Sequence, residues 1–188
     1  MSERNKSFLI TQVSLVANDQ LTLFDNDYED NQEGRNQLFR NVFFNIIENK
    51  KIVYIMTDGA ALPIYLSKNV DTLKKKGLID NTITIGRAFG GQYECINIYT
   101  ALITAKEVLK ADVVFVSMGP GIAGTGTKYG FTGIEQGPIL DAVKKLGGMP
   151  ISIPRVSFSD QRDRHKGISH HSITVLKEIV NVRVNIPI

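Results

Sequence analysis

Four short runs rich in β-branched and aliphatic residues recur along the chain: Lys51–Met56, Thr82–Ile85, Val113–Ser117 and Met149–Ile153. Helix-patterned stretches of roughly 10–15 residues separate them, and no other feature constrains the fold as much. Strands joined by helices pair in parallel through crossovers, and unbroken apolar runs such as Val113-Val114-Phe115-Val116 need cover on both faces. The expected fold is α/β, a mostly parallel sheet with helices on both faces in a Rossmann-like three-layer arrangement.

Flanking segments extend the pattern. Over Asn36–Asn49 the apolar positions Leu38, Val42, Phe43, Ile46 and Ile47 recur at helical spacing. Further helices are expected over Leu62–Lys76, over Glu94–Lys110 (with Ile96, Ile98, Leu102, Ile103 and Val108 toward the core) and over Glu135–Leu146, the last stopped by Gly147-Gly148. Ser169 is placed to cap a helix running to about Glu178, and Val180–Ile186 reads as a closing strand. Phe8–Val16 and Gln20–Phe24 suggest a short N-terminal β arm, a hairpin around Ala17-Asn18-Asp19, followed by an acidic connection over Asp25–Gly34. The expected division is residues 1–35 as arm and linker, and residues 36–188 as the α/β domain.

At 188 residues and 43% hydrophobic, the chain has material for one substantial core. No apolar run approaches the roughly 20 residues that cross a bilayer. MSERNKSFLI carries neither a signal peptide's apolar stretch nor a lipidation signal, so no membrane association is expected. A single cysteine, Cys95, leaves no internal disulfide and no multi-cysteine zinc site, which suits a reducing cytoplasm. The net charge of +3 is too small to indicate nucleic acid. Its distribution says more: residues 1–49 carry −4, residues 50–143 carry +2 and residues 144–188 carry +5.

In open parallel sheets ligands bind beyond the C-terminal ends of the strands. Four segments follow expected strands in that way: Thr57-Asp58-Gly59, Arg87–Glu94, Gly119–Thr127 and Arg155–His171. Seven glycines lie between residues 119 and 137. In the loop Gly119, Gly121, Gly124 and Gly126 permit close backbone approach, so that N–H groups can converge on an anion; Thr125 and Thr127 add hydroxyls and Lys128 a charge. The spacing is neither a P-loop nor a dinucleotide fingerprint, and a plain chain reversal is the alternative. Asp58 is either a proton-transfer group or metal ligand, or the cap of the next helix. Glu94 and Glu135 are candidate ligand contacts that also read as first-turn dipole compensation.

All three histidines, His165, His170 and His171, fall within seven residues. Imidazole titrates near neutrality and is the commonest acid–base group and metal ligand, so the cluster points to proton transfer. A divalent metal is the alternative cargo, held by a folded-back His165 with Asp160 or Asp58, although the spacing matches no zinc motif. On a helix His170 and His171 diverge, so only one can face a given site; His171 shares a face with Val175, and Ile168 and Leu176 suggest the core side, which makes His171 the expected inward residue. Arg155, Arg162 and Arg164 suit bidentate binding of phosphate or carboxylate; a solvated loop paired to Asp160 and Asp163 is the alternative.

These segments resemble an uncharacterised bacterial family known only as a domain of unknown function. The likeness rests on Met56–Pro63, Arg87–Gly91, the GPGxxGTGT loop at Gly119–Thr127 with Gly130–Glu135, Leu146-Gly147-Gly148, and the RxSFxDxRxRHxGxSHH pattern of Arg155–His171. It spans about Val53 to Leu176. Family members often have His at the position of Arg87, and they are longer than this chain, which implies a short relative or the C-terminal domain of a larger protein. The family brings no established activity.

The expected function is therefore binding of a small anionic metabolite, phosphorylated or nucleotide-like, and its hydrolysis or group transfer. Asp58, His165, His170 and His171 are the proton-moving candidates; the glycine loop, Glu94, Glu135, Arg155, Arg162 and Arg164 are the ligand contacts. The rival is a non-catalytic sensing or interaction module. RNA binding through the basic C-terminal quarter ranks below both, since Phe158 is nearly its only stacking residue. Nothing in the pattern opposes a homo-oligomer.

Overall fold

The structure is a computed structural model, and it describes residues 9–13, 50–59, 61–119 and 122–187. The expected hairpin partner Gln20–Phe24 and the helix over Asn36–Asn49 lie outside the described residues. Six strands form one sheet: β1 (Leu9–Val13), β2 (Ile52–Thr57), β3 (Asn81–Ile85), β4 (Tyr93–Cys95), β5 (Val113–Met118) and β6 (Met149–Ile153), in the order β4-β3-β2-β5-β1-β6. Every pairing between them is parallel. β1, expected as an arm, is an interior strand of this sheet, between β5 and β6. The Val180–Ile186 segment is no strand; it adds one bridge, Ile151 to Asn185, along the edge of β6.

The helices α1 (Lys68–Lys75), α2 (Ile98–Ile103) and α3 (Gln136–Lys145) lie between strands of the sheet, and α4 (His170–Thr174) follows the last strand. Strand side chains alternate in direction, and the core divides accordingly. Val53, Ile55, Ile83, Ile85, Val114 and Val116 pack with Ala101, Leu102 and Ala105 of the α2 segment and with Ile139, Ala142 and Val143 of α3. On the other side Tyr54 and Met56 meet Ile64, Val70, Ile79 and Ala88, with Val70 supplied by α1. Each fully buried aliphatic side chain contributes about 1.5–3 kcal/mol. The α/β fold is the one expected.

One helix phase differs from expectation. Glu94 belongs to β4, and α2 starts four residues later behind a capping box between Asn97 and Thr100. The late start moves the buried stripe to Ala101, Leu102, Ala105 and Leu109, and leaves Ile96, Ile103 and Val108 exposed. α2 and α4 both end in wider turns, closed by Leu109 N–H to Thr104 O (2.9 Å) and Val180 N–H to Val175 O (3.0 Å). Among the described residues no helix is long and apolar enough to cross a membrane.

The chain leaves β2 toward β3 and β4, then returns to place β5 on β2's other flank. Thr57-Asp58 and Gly119 emerge at this reversal, beyond the C-terminal ends of β2 and β5, the position at which open parallel sheets usually bind ligands. At the opposite flank, a Cβ on Gly91 would lie 2.8 Å from both the Thr84 nitrogen and the Tyr93 oxygen. Both obstacles are backbone, so they cannot swing away. Gly91→Ala is expected to cost about 1–3 kcal/mol by overpacking, read from the urea midpoint. An unchanged midpoint would contradict this packing.

Candidate functional site

At the switch point, the Thr57 hydroxyl, 2% exposed, donates to Glu135 Oε1 at 2.5 Å. Burial pushes the Glu135 carboxyl up; the Thr57 hydrogen bond opposes that, and the nearby Asp58 charge adds to it. Asp58 Oδ2 accepts the Arg87 N–H at 3.2 Å. Its backbone oxygen closes a turn onto Ala61 N–H at 2.9 Å. Asp58 caps no helix: α1 begins only at Lys68, and Ser67 caps it. The Glu94 carboxylate also serves its own turn, accepting the Gly90 N–H at 2.9 Å.

The glycine loop has a different construction from an open cradle. Gly121 lies outside the described residues. From Ala123 to Thr132 the chain doubles back on itself, with Thr125 N–H to Gly130 O (2.7 Å), Thr132 N–H to Ala123 O (2.8 Å) and Ala123 N–H to Thr132 Oγ1 (3.0 Å). Thr125 Oγ1 bonds Thr127 Oγ1 at 3.0 Å and donates to Gly130 O at 3.1 Å. The N–H groups of Ala123 and Thr125 are thus used inside the loop. Lys128 Nζ pairs with Glu178 at 2.8 Å, and the Tyr129 hydroxyl donates to the same carboxylate at 2.6 Å. The loop is a tied-down hairpin whose Gly124 backs onto His171, a Cβ there lying 3.8 Å from the imidazole Cε1.

Arg155–His171 contains a two-stranded antiparallel ribbon of β7 (Val156–Ser157) and β8 (Gly167–Ile168). The ribbon brings together what precedes and follows it: Ser169 N–H donates to Arg155 O at 2.8 Å. Asp160, its side chain 8% exposed, binds Arg155 Nη2 at 2.5 Å and Arg162 Nε at 3.1 Å. Those bonds, Arg162's foremost, hold the Asp160 carboxyl well below the usual carboxylate range. Asp163 pairs instead with Lys166 at 3.1 Å.

The three histidines converge. Ring centroids are 4.0 Å apart for His170 and His171, 4.9 Å for His165 and His170, and 5.6 Å for His165 and His171. His171 also stacks on Phe131 at 4.2 Å. The rings touch by their faces and edges. Among the described residues no group of three His, Cys, Asp or Glu side chains is arranged to hold a metal, and Asp160 is occupied by its arginines. The metal alternative does not fit.

Beside them lies a cavity of about 120 Å³. Arg155, Arg162, His165, His171 and Gln136 line its polar side, and Phe131 its apolar side. His170 is absent from the lining, and its Nε2 is buried without a hydrogen-bond partner. Burial is the main force lowering all three imidazole pKa values, with neighbouring arginine charges adding to it; His171 falls to about 4. Arg164, which is exposed, acts on His170 and His171 through its charge.

The structure therefore gathers Arg155, Arg162, His165 and His171 at one cavity, with His170 packed behind the other two rings, and Asp58, Arg87 and Glu135 at the switch point. Glu135 and Gln136, adjacent in sequence, join the two: the first faces Thr57 and the second lines the cavity. Thr57, Phe131, Gln136, Ser169 and Ser172 also stand at these two places, and the sequence pattern does not single them out. Ser169 stands at the expected N-cap position, but its side chain makes no capping bond and turns to His165.

The family model described as protein of unknown function (DUF3866) matches residues 39–188, and the chain belongs to that family. No curated protein and no solved structure matches.

Lowered imidazole pKa values make stability pH-dependent. The unfolded chain binds protons near pH 6.5 and folded His171 only near 4, so acid favours unfolding. Stability is expected to hold above pH 6.5 and to fall as pH drops through 6.5 toward 4. His171→Phe, which keeps a ring against Phe131, should flatten that fall. Urea melts across the window check this, and an unchanged slope in the variant would contradict it.

Proposed function

We propose that this family member binds the anionic head of a small metabolite in the Arg155–Arg162–His171 cavity and hydrolyses or transfers that group. One observation carries the reading: Arg155 Nε is buried with no hydrogen-bond partner, although the same guanidinium is held on Asp160. Leaving a charged donor desolvated and unpaired costs about 1–3 kcal/mol or more, and the side chain that bears it lines the cavity. The cavity, of about 120 Å³, presents Arg155 and Arg162 beside two imidazoles, a lining that suits a phosphate or carboxylate group.

The imidazoles support chemistry over mere capture. Neutral histidines accept a proton and return it, and His165 and His171 both face the cavity. Arg162 and Arg164 add to the positive field, and Asp58 with Glu135 supplies carboxyl groups at the adjoining switch point. In this reading the glycine hairpin, with Gly124 against His171, walls the site, and its exposed Gly126 and Thr127 meet the outer part of the ligand. The lone Cys95 favours a cytoplasmic setting.

A thermal-shift screen of orthophosphate, sulfate, phosphate esters and carboxylates tests the proposal. An anion present at about 100 times its Kd should stabilise the protein by about 2.7 kcal/mol. Arg155→Ala should weaken that anion's binding by about 1.5–3 kcal/mol, the worth of a charge-assisted hydrogen bond. No response to any anion, or an equal response in the variant, would remove the reading.

A further inference from the structure

We propose that Ser169 is a nucleophile, activated by His165, that accepts a phosphoryl group from a phosphate compound bound at the arginines. The inference rests on the anion-binding reading above and gives it a substrate class and a covalent step. Ser169 Oγ lies 2.8 Å from His165 Nδ1. Both residues are buried, at 2% and 5% exposure, and both line the cavity.

Three details set this serine apart from an ordinary helix cap. Ser169 occupies the N-cap of α4, where a serine oxygen usually accepts an N–H from the first turn. It makes no such bond, and its hydroxyl is turned to the imidazole instead. Its own N–H is spent on Arg155 O at 2.8 Å, while Arg155 N–H donates to Ser172 Oγ at 3.1 Å. The segments carrying nucleophile and guanidinium are thereby stitched together on both sides. A hydroxyl bonded to a neutral imidazole, with a cation beside it for the developing charge, is the arrangement that makes a serine nucleophilic.

Ser169 Oγ forms a bond to phosphorus as its proton passes to His165 Nδ1. The bond from phosphorus to the leaving oxygen breaks, its electron pair stays on that oxygen, and the oxygen takes the proton from His165. Water then attacks the phosphoserine: its oxygen bonds phosphorus as one proton passes to the same nitrogen, the bond from phosphorus to Ser169 Oγ breaks, and Oγ takes that proton. Orthophosphate leaves and the Ser169 hydroxyl is restored. No oxidant, reductant or metal enters the balance.

The test uses the full chain with acetyl phosphate as phosphoryl donor, an acid quench, and fragment-ion sequencing of the tryptic peptide Gly167–Lys177. A phosphoryl group on Ser169, absent after His165→Asn, is the expected result. Orthophosphate-dependent thermal stabilisation is measured on the same preparations. Wild-type mapping decides the matter even if Ser169→Ala fails to fold. No adduct, or one on Ser172 or Thr174, overturns the nucleophile; if orthophosphate still stabilises the protein, the anion site stands without it. Loss of both signals overturns both.

Discussion

β2 and β5 lie side by side in parallel register from Ile52 and Val113 to Thr57 and Met118, and β2 is buried at all six positions. Strands covered on both faces admit a polar side chain only where it finds a partner inside. Tyr54 does so by bonding Ser117 Oγ at 2.9 Å, and burial pushes its phenol up to about 12, with the Ser117 bond pulling the other way. At the last residue of β2 the partner is a carboxyl group, as Thr57 reaches Glu135. The apolar pairing of these two strands thus delivers the first chemistry of the domain where the topology reverses, and the candidate site is built outward from that point.

Asp160 organises the second half of the site. One nearly buried carboxylate gathers two arginines that lie on either side of it in sequence, and this folds the Arg155–Arg162 segment back on itself. The pairing cancels only part of the local positive charge. What remains, together with burial, keeps the three imidazoles neutral and so able to accept protons. Cationic side chains and neutral imidazoles stand side by side here because a single acid holds the cations in place.

The glycine density after β5 has a local cause. A Cβ on Gly130 would collide with the Thr125 and Thr127 hydroxyls, and one on Gly137 would collide with Ile179. These residues are small because the hairpin closes tightly and because the α3 start packs on the C-terminal turn. An open nest of inward N–H groups would have used the same residue type. Composition does not distinguish the two; the hydrogen bonds inside the loop do.

Apolar periodicity by itself determined the parallel α/β sheet, its strands near residues 52–57, 81–85, 113–118 and 149–153, and the segments that meet at its C-terminal edge. It could do so because strand alternation and helix stripes are local patterns. The histidine and arginine motif was legible for the same reason, being confined to Arg155–His171. Other features were decided by contacts between distant residues. β1 inserts between β5 and β6, which depends on pairing partners more than a hundred positions away. Asn97 sets the phase of α2 and turns Ile96 outward, although hydrophobicity alone favours burying it. Glu135 separates from its neighbour Gln136 toward Thr57, and Ser169 leaves its helix for His165. Each of those choices is a competition among hydrogen-bond partners, and the winner is known only when the sheet has brought the partners within reach.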